Sequence, residues 1–242
     1  MILTDIFRDM TYGELSNIFT GGYLPDEAES QPDPVKYAEL LSAVNLGLKQ
    51  LYKEFFLRSE EHYIQCSEEK SVYKLHIDYA QTNTSSPIDI ADRYIMDTAD
   101  NPFTGNLLKI EEVYDEDGVK LTLNNPNDEL SVFTPTYNSI QVPYPEDGMT
   151  IAVQFRASHP PIVYTGVTFD PDSVEVELPN SLHDALLYYV AARILRPKGG
   201  DRVMEADNYY QLYKDAVQTV KNEGLEVQSE ADIGRFDTNG WV

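Results

Sequence analysis

The chain has 242 residues, 42% of them hydrophobic, and carries 41 Asp and Glu against 18 Lys and Arg, a formal charge of -23. That apolar content suffices for a buried core in one large or two small domains and excludes a disordered chain. The charge excludes a surface that grips nucleic acid by phosphate neutralisation, though not one that lets DNA slide past, and a single cysteine, Cys66, excludes an intrachain disulfide framework or a multi-Cys zinc site.

From the N-terminus, Leu3, Ile6, Phe7, Met10, Leu15, Ile18 and Phe19 fall at helical spacing. Gly21-Gly22 should end that segment, and LPDEAESQPDP reads as a connecting loop. From Pro34 to about Arg58, Leu41, Val44, Leu48, Leu51 and Phe55 repeat at 3, 4, 3, 4, one stripe of a long helix in which Pro34 suits the first turn. Between about residues 61 and 178 the pattern changes to short alternating runs, and YIQC, VYKLHIDYA, LLKIEEVY, VKLTLNN, MTIAVQFRA and VEVEL all read as strands. EEVYDEDGVKLTL should form a hairpin, because Asp117-Gly118 can supply the positive φ of a tight turn. Residues 81–106 read as loops with short elements.

Helical pattern then returns. Asn180 or Ser181 is placed to cap LHDALLYYVAARIL, which RPKGG interrupts. A second helix starts at Asp201, with Val203, Ala206, Tyr210, Tyr213, Val217 and Val220 at 3, 4, 3, 4, 3, and Gly224 stops it. The last residues, 225–242, lack an element-forming period and read as a tail with isolated apolar residues. The expected fold class is therefore α+β, a helical bundle formed by the N- and C-terminal helices with an inserted β-rich domain and an extended C-terminal tail. Its parts are residues 1–59, 60–179, 180–224 and 225–242. Charge follows the partition, at -7 for residues 1–80, -13 for 81–179 and -3 for 180–242.

Catalytic and cofactor chemistry finds little support. Neither G-x-G-x-x-G nor G-x-x-x-x-G-K-[ST] occurs, nor does G-x-S-x-G. His62, His76, His159 and His183 have no second His at helical ligand spacing; His183 beside Asp184 reads as a capping environment and His76 as a residue pointing out of a sheet. Cys66 reads as a half-buried strand residue. Carboxylates are too numerous for any pair, such as Glu111 or Glu112 with Asp115, to signal glycosidase chemistry. Asp115-Glu116-Asp117-Gly118 lacks the order of a calcium loop. No enzyme, metal or cofactor is expected. No apolar stretch approaches the roughly 18 to 20 residues of a membrane span, and MILTDIFRDM lacks the order of a secretory signal, so a soluble, unexported chain is expected.

The tyrosines give the positive signal. Tyr188, Tyr189, Tyr209, Tyr210 and Tyr213 sit on the last two helices, where adjacent positions point to different faces. Some should enter the core and others a second packing surface, which suggests neighbouring subunits.

The segment LPNSLHDALLYYVAARILRPKGGDRVMEADNYYQLYKDAVQTVKNEG, with Pro179, Ala185, Leu186, Tyr189 and Ala192 followed by Asp201, Ala206, Tyr209, Tyr210 and Tyr213, resembles the closing helices of bacteriophage head-to-tail adaptors, the connector and tubular-tail ring proteins of short-tailed phages. The likeness covers the helical frame, about a third to two fifths of the chain, and residues 60–179 depart from any matched pattern. It implies a non-enzymatic homo-oligomeric ring, commonly a dodecamer, beneath the portal protein. The ring would meet a downstream tail protein, nozzle or tail tube, and pass genomic DNA without specific binding. It also implies a location in the virion neck or tail, with assembly in the host cytoplasm and no membrane. The portal-docking residues it implies are Ile233, Arg235, Phe236 and Trp241 in the tail. Alternatives are an acidic carbohydrate-binding or glycoside-hydrolysing protein and another virion subunit of nozzle or baseplate.

Overall fold

A computed structural model describes residues 1–12, 34–166 and 169–225. The fold is mixed α+β, with α-helices and antiparallel sheets in two compact units: one from Met1–Phe56 and His159–Val242, the other from Leu57–Ser158. The segment 159–179, expected in the β-rich insert, thus lies in the first unit.

In that unit α1 (Leu3–Tyr12) buries Leu3, Ile6, Phe7 and Met10, while Leu15, Ile18, Phe19 and the expected glycine stop lie outside the described residues. Helix α2 (Pro34–Glu54) buries its whole expected stripe, Leu41, Val44, Leu48, Leu51 and the following Phe55, and also Leu40, Ala43 and Tyr52. The buried face is wider than one stripe because α2 packs on more than one side. Its second neighbour is the segment after His159: the Asn45 side chain donates to the Ile162 carbonyl and accepts from its N–H, both at 2.9 Å. The Tyr52 hydroxyl donates to the Glu177 carbonyl.

VEVEL forms no strand. Its backbone pairs instead with the first residues of the chain, Leu3 N–H to Val174 O at 3.0 Å and Val176 N–H to Met1 O at 2.7 Å, with a single bridge between Ile2 and Glu175. Only two residues precede α1, so the pairing ends before a ladder can extend. Helices α3 (His183–Leu195) and α4 (Asp201–Asn222) complete the described part of this unit.

The second unit holds a five-stranded antiparallel sheet in the order β3-β1-β7-β4-β5: β1 (Ser59–Gln65), β3 (Ile95–Met96), β4 (Leu107–Tyr114), β5 (Lys120–Leu121) and β7 (Thr150–Ala157). A two-stranded sheet pairs β2 (Val72–Lys74) with β6 (Ser139–Gln141). Alternation sets the faces: Ile64, Ile151, Val153, Phe155, Ile110 and Val113 enter one core with Tyr73, Phe103 and Ile140. The hairpin forms as expected, with Val113 opposite Leu121, Tyr114 opposite Lys120 and Gly118 at φ 77°. Asp115 Oδ1 accepts from the Asp117 and Val119 N–H groups, so this acidic cluster is used as a turn.

Two expected strands are cut short. VYKLHIDYA keeps three strand residues and then turns into a 3₁₀ helix, Ile77–Tyr79, capped by His76 Nδ1 accepting from the Asp78 N–H. VKLTLNN keeps two, and Asn124, at φ 56°, turns the chain away. Residues 81–106 contain 3₁₀ turns and the short β3; the Arg93 guanidinium organises the loop by donating to the Ile88 and Asn83 carbonyls.

Candidate functional site

The tyrosine-bearing face of α3 and α4 is built from small residues outward. Ala185, Ala191, Ala192 and Ala206 are buried, so the two helices approach closely and their larger side chains are forced to the flanks. Gly47 does the same between α2 and α3, where an added Cβ would lie 2.6 Å from Leu186 Cδ1 and 3.2 Å from the Tyr189 ring.

The expected cap at Asn180 or Ser181 is not made: neither side chain caps α3. A 3₁₀ turn, Asn180–Leu182, precedes the helix and pairs its first N–H groups through backbone contacts, Leu182 to Pro179 and His183 to Asn180. His183, expected beside Asp184 in a capping environment, reaches to α1 instead. Its Nε2 lies 2.9 Å from Asp9 Oδ2, which ties α1 to the start of α3. Between α3 and α4 a 3₁₀ turn, Arg196–Lys198, leads into Gly199 at φ 70° and Gly200 at φ 57°. Two successive positive-φ positions are accessible without strain only to glycine, which is why RPKGG reverses the chain here.

The five tyrosines divide into two sets. Tyr188 stacks on Tyr209, centroids 6.4 Å apart. Tyr213 meets Tyr189 edge-on at 5.2 Å and stacks with Tyr210 at 5.7 Å. Tyr213 is buried and its hydroxyl donates to Glu54 Oε1 at 2.8 Å. Gln50 donates to the same oxygen at 3.0 Å, and Lys221 Nζ lies 3.4 Å from Oε2. Burial would raise the Glu54 carboxyl, but the bonds from Gln50 and Tyr213 and the Lys221 charge outweigh it and hold the acid below its ordinary value. Burial, reinforced by Glu54, pushes the Tyr213 phenol upward, so it stays a donor.

Tyr188, Tyr189 and Tyr209 are half-buried and Tyr210 is exposed. Tyr210 carries Lys214 Nζ 4.9 Å above its ring and borders a shallow groove of about 150 Å³ with Gln50, Tyr189, Arg193 and Arg196. Val203, expected in the buried stripe, is exposed, as are Met204 and Leu212, which lie off that stripe. Those two are apolar residues the periodicity did not single out. Their signal in the sequence is that they interrupt an otherwise polar face of α4. Ile233, Arg235, Phe236 and Trp241 lie outside the described residues.

No helix among the described residues is long and apolar enough to cross a membrane, and no group of three or more His, Cys, Asp or Glu among them is disposed to hold a metal ion. Cys66 is buried, beyond the half-buried state expected, and burial raises its thiol above the ordinary value. The face carries half-buried and exposed aromatic area beside the fixed polar contacts of Tyr213, Glu54 and Lys221.

A family model described as SU10 adaptor protein matches residues 10–234. The chain belongs to that family, in agreement with its resemblance to phage head-to-tail adaptors. No curated protein matches it.

Proposed function

We propose that this member of the SU10 adaptor protein family is a structural, non-enzymatic subunit of a phage virion that forms a ring beneath the portal, joins it to the tail and surrounds a channel for DNA. The observation that carries the reading is the family match across residues 10–234. In this reading α1, α2, α3 and α4 form the ring's helical bundle. The β-rich unit then faces a downstream nozzle or tail-tube protein, and residues 225–242 dock on the portal.

Tyr188, Tyr189, Tyr209 and Tyr210 would meet the next copy, with Tyr213 holding that face in register from inside. Their partial exposure supports the assignment, since aromatic area left at a surface gains most from burial by a partner. The net charge of -23 supports passage of DNA without retention, because like charge opposes binding. A tail with isolated Ile233, Phe236 and Trp241 has a use if a partner orders it.

The test is the mass of the purified chain alone and mixed with portal protein, with negative-stain images of both. A closed annulus is expected, commonly of twelve copies, bound to the portal. Replacing Phe236 and Trp241 by Ala should weaken portal binding by at least about tenfold, the cost of losing two aromatic anchors, with helical content unchanged. A chain that remains monomeric with the portal present, or a double variant that binds as well as the parent, contradicts the reading.

A further inference from the structure

Lys70 directs its ammonium at a cluster of three aromatic rings. Its Nζ lies 4.0 Å from the centroid of the Tyr94 ring, 4.9 Å from Tyr79 and 5.9 Å from Tyr73. Among the described residues it makes no ion pair or side-chain hydrogen bond, although 41 acidic residues are present in the sequence. The residue is half-buried, and burial lowers its proton affinity, opposed by Asp92.

The rings are held independently of the lysine. The Tyr94 hydroxyl accepts from the Lys74 N–H at 2.8 Å and donates to the Lys74 carbonyl at 3.0 Å. The Tyr73 hydroxyl accepts from the Ser67 N–H at 2.9 Å and donates to its carbonyl at 3.2 Å. Each phenol thus clamps both backbone groups of one residue, and burial keeps it protonated, with Tyr73 pushed up to about 12. Tyr94 packs edge-on against Tyr73 at 5.1 Å and stacks on Tyr79 at 4.7 Å. A cavity of about 560 Å³ opens beside Tyr73 and Tyr94, lined also by Lys70, by the acidic residues Glu69, Asp92 and Asp147, and by Arg93, whose guanidinium is engaged by the Ile88 and Asn83 carbonyls. Aromatic faces under an acidic rim attract a cation from two directions.

We propose that Tyr73, Tyr79 and Tyr94 form a preorganised alkylammonium-binding cage that Lys70 occupies in cis, so that an external alkylammonium, a small quaternary amine or a lysine side chain of a partner protein, binds by displacing it. Lys70 sits at the end of the short Ser67–Lys70 turn, closed by its own N–H donating to the Ser67 carbonyl at 3.0 Å. Displacement therefore needs only the Lys70 side chain to swing out, while the turn stays closed and the Ser67 and Lys74 clamps keep Tyr73 and Tyr94 in place. The site belongs to the β-rich unit and is independent of the adaptor reading.

The experiment titrates the full chain with choline, with its neutral isostere 3,3-dimethylbutan-1-ol, and with Nα-acetyl-lysine methylamide, following the amide resonances of Ser67 and Tyr94. In Lys70→Ala, choline should bind at least about tenfold tighter than in the parent, and the neutral alcohol should not bind. Lys70→Met, which keeps an apolar stem in the cage without its charge, should gain less. Binding of the lysine amide to Lys70→Ala assigns the site to a protein partner's lysine, and binding of choline alone to a small quaternary amine; both support the cage. Equal affinity of parent and Lys70→Ala for choline, or equal binding of choline and the alcohol, overturns it. If Lys70→Ala melts early, choline should raise its melting temperature and the alcohol should not, and a melting temperature that choline leaves unchanged also overturns the proposal.

Discussion

Glu54, Tyr213 and Lys221 form a polar knot inside an otherwise apolar helix contact, and its weight can be read from one atom. Removing the Tyr213 hydroxyl deprives Glu54 of a donor, and Tyr213→Phe should cost about 1.5 to 3 kcal/mol, the range for a hydrogen bond to a charged group. Urea unfolding measures it. Because the folded Glu54 carboxyl lies below its ordinary 4.5, the unfolded chain takes up its proton first as pH falls. The knot contributes fully above that value and its contribution is lost as pH drops through the folded one. Glu54→Gln should flatten this acid limb of the stability profile. His62 has the same sign for a different reason. It is buried between Phe103 and Phe155, and burial depresses its pKa from 6.5 against the pull of Glu60, Asp97 and Glu61. The folded state favours the neutral ring, so stability present above pH 6.5 falls as pH drops below it and levels off under the folded value. In His62→Met, melting temperatures at pH 7.5 and 5.5 should differ less than in the parent.

At the scale of elements, two contacts depend on glycine for different reasons. Gly47 is needed for space: Gly47→Val must push into Leu186 and the Tyr189 ring, both packed at the α2–α3 contact, and should cost about 1 to 3 kcal/mol by overpacking. Gly200 is needed for its backbone. Nothing lies within 4 Å of an added Cβ there, so Gly200→Ala should lose about 1 to 2 kcal/mol through its positive φ alone. The two losses separate in thermal unfolding combined with near-ultraviolet circular dichroism: Gly47→Val should also change the tyrosine signal, and Gly200→Ala should leave it as in the parent. The α4 stop at Gly224 is a third use, with Leu225 N–H reaching the Val220 carbonyl in a left-handed cap. That stop was legible from the sequence. The cap of α3 was not, because the 3₁₀ turn at Asn180–Leu182 takes over the work that a side-chain cap would do.

For the whole molecule, the chain divides into a helical unit drawn from both of its ends and a β-rich unit formed by the residues between them. If the adaptor reading holds, assembly and fold are separable. Replacing Tyr188 and Tyr210 by Ser should shift the assembly equilibrium toward free subunits by about tenfold or more in sedimentation, with little change in the helical signal, since both lie at least partly at the surface.

The sequence by itself determined α2, α4, the β4–β5 hairpin and the strands β4 and β7, because period, turn residues and burial there all agree over several consecutive positions. It also determined the resemblance carried by the last two helices. Tertiary structure alone decided where 174–178 pairs, since an alternating run fits any complementary backbone and here the first residues of the chain supplied it. It alone decided that His183 meets Asp9, and that Tyr213 turns inward to Glu54 while Tyr210 stays out. A side chain's partner is set by what the folded chain brings within reach, and residues 174 positions apart carry no local trace of it.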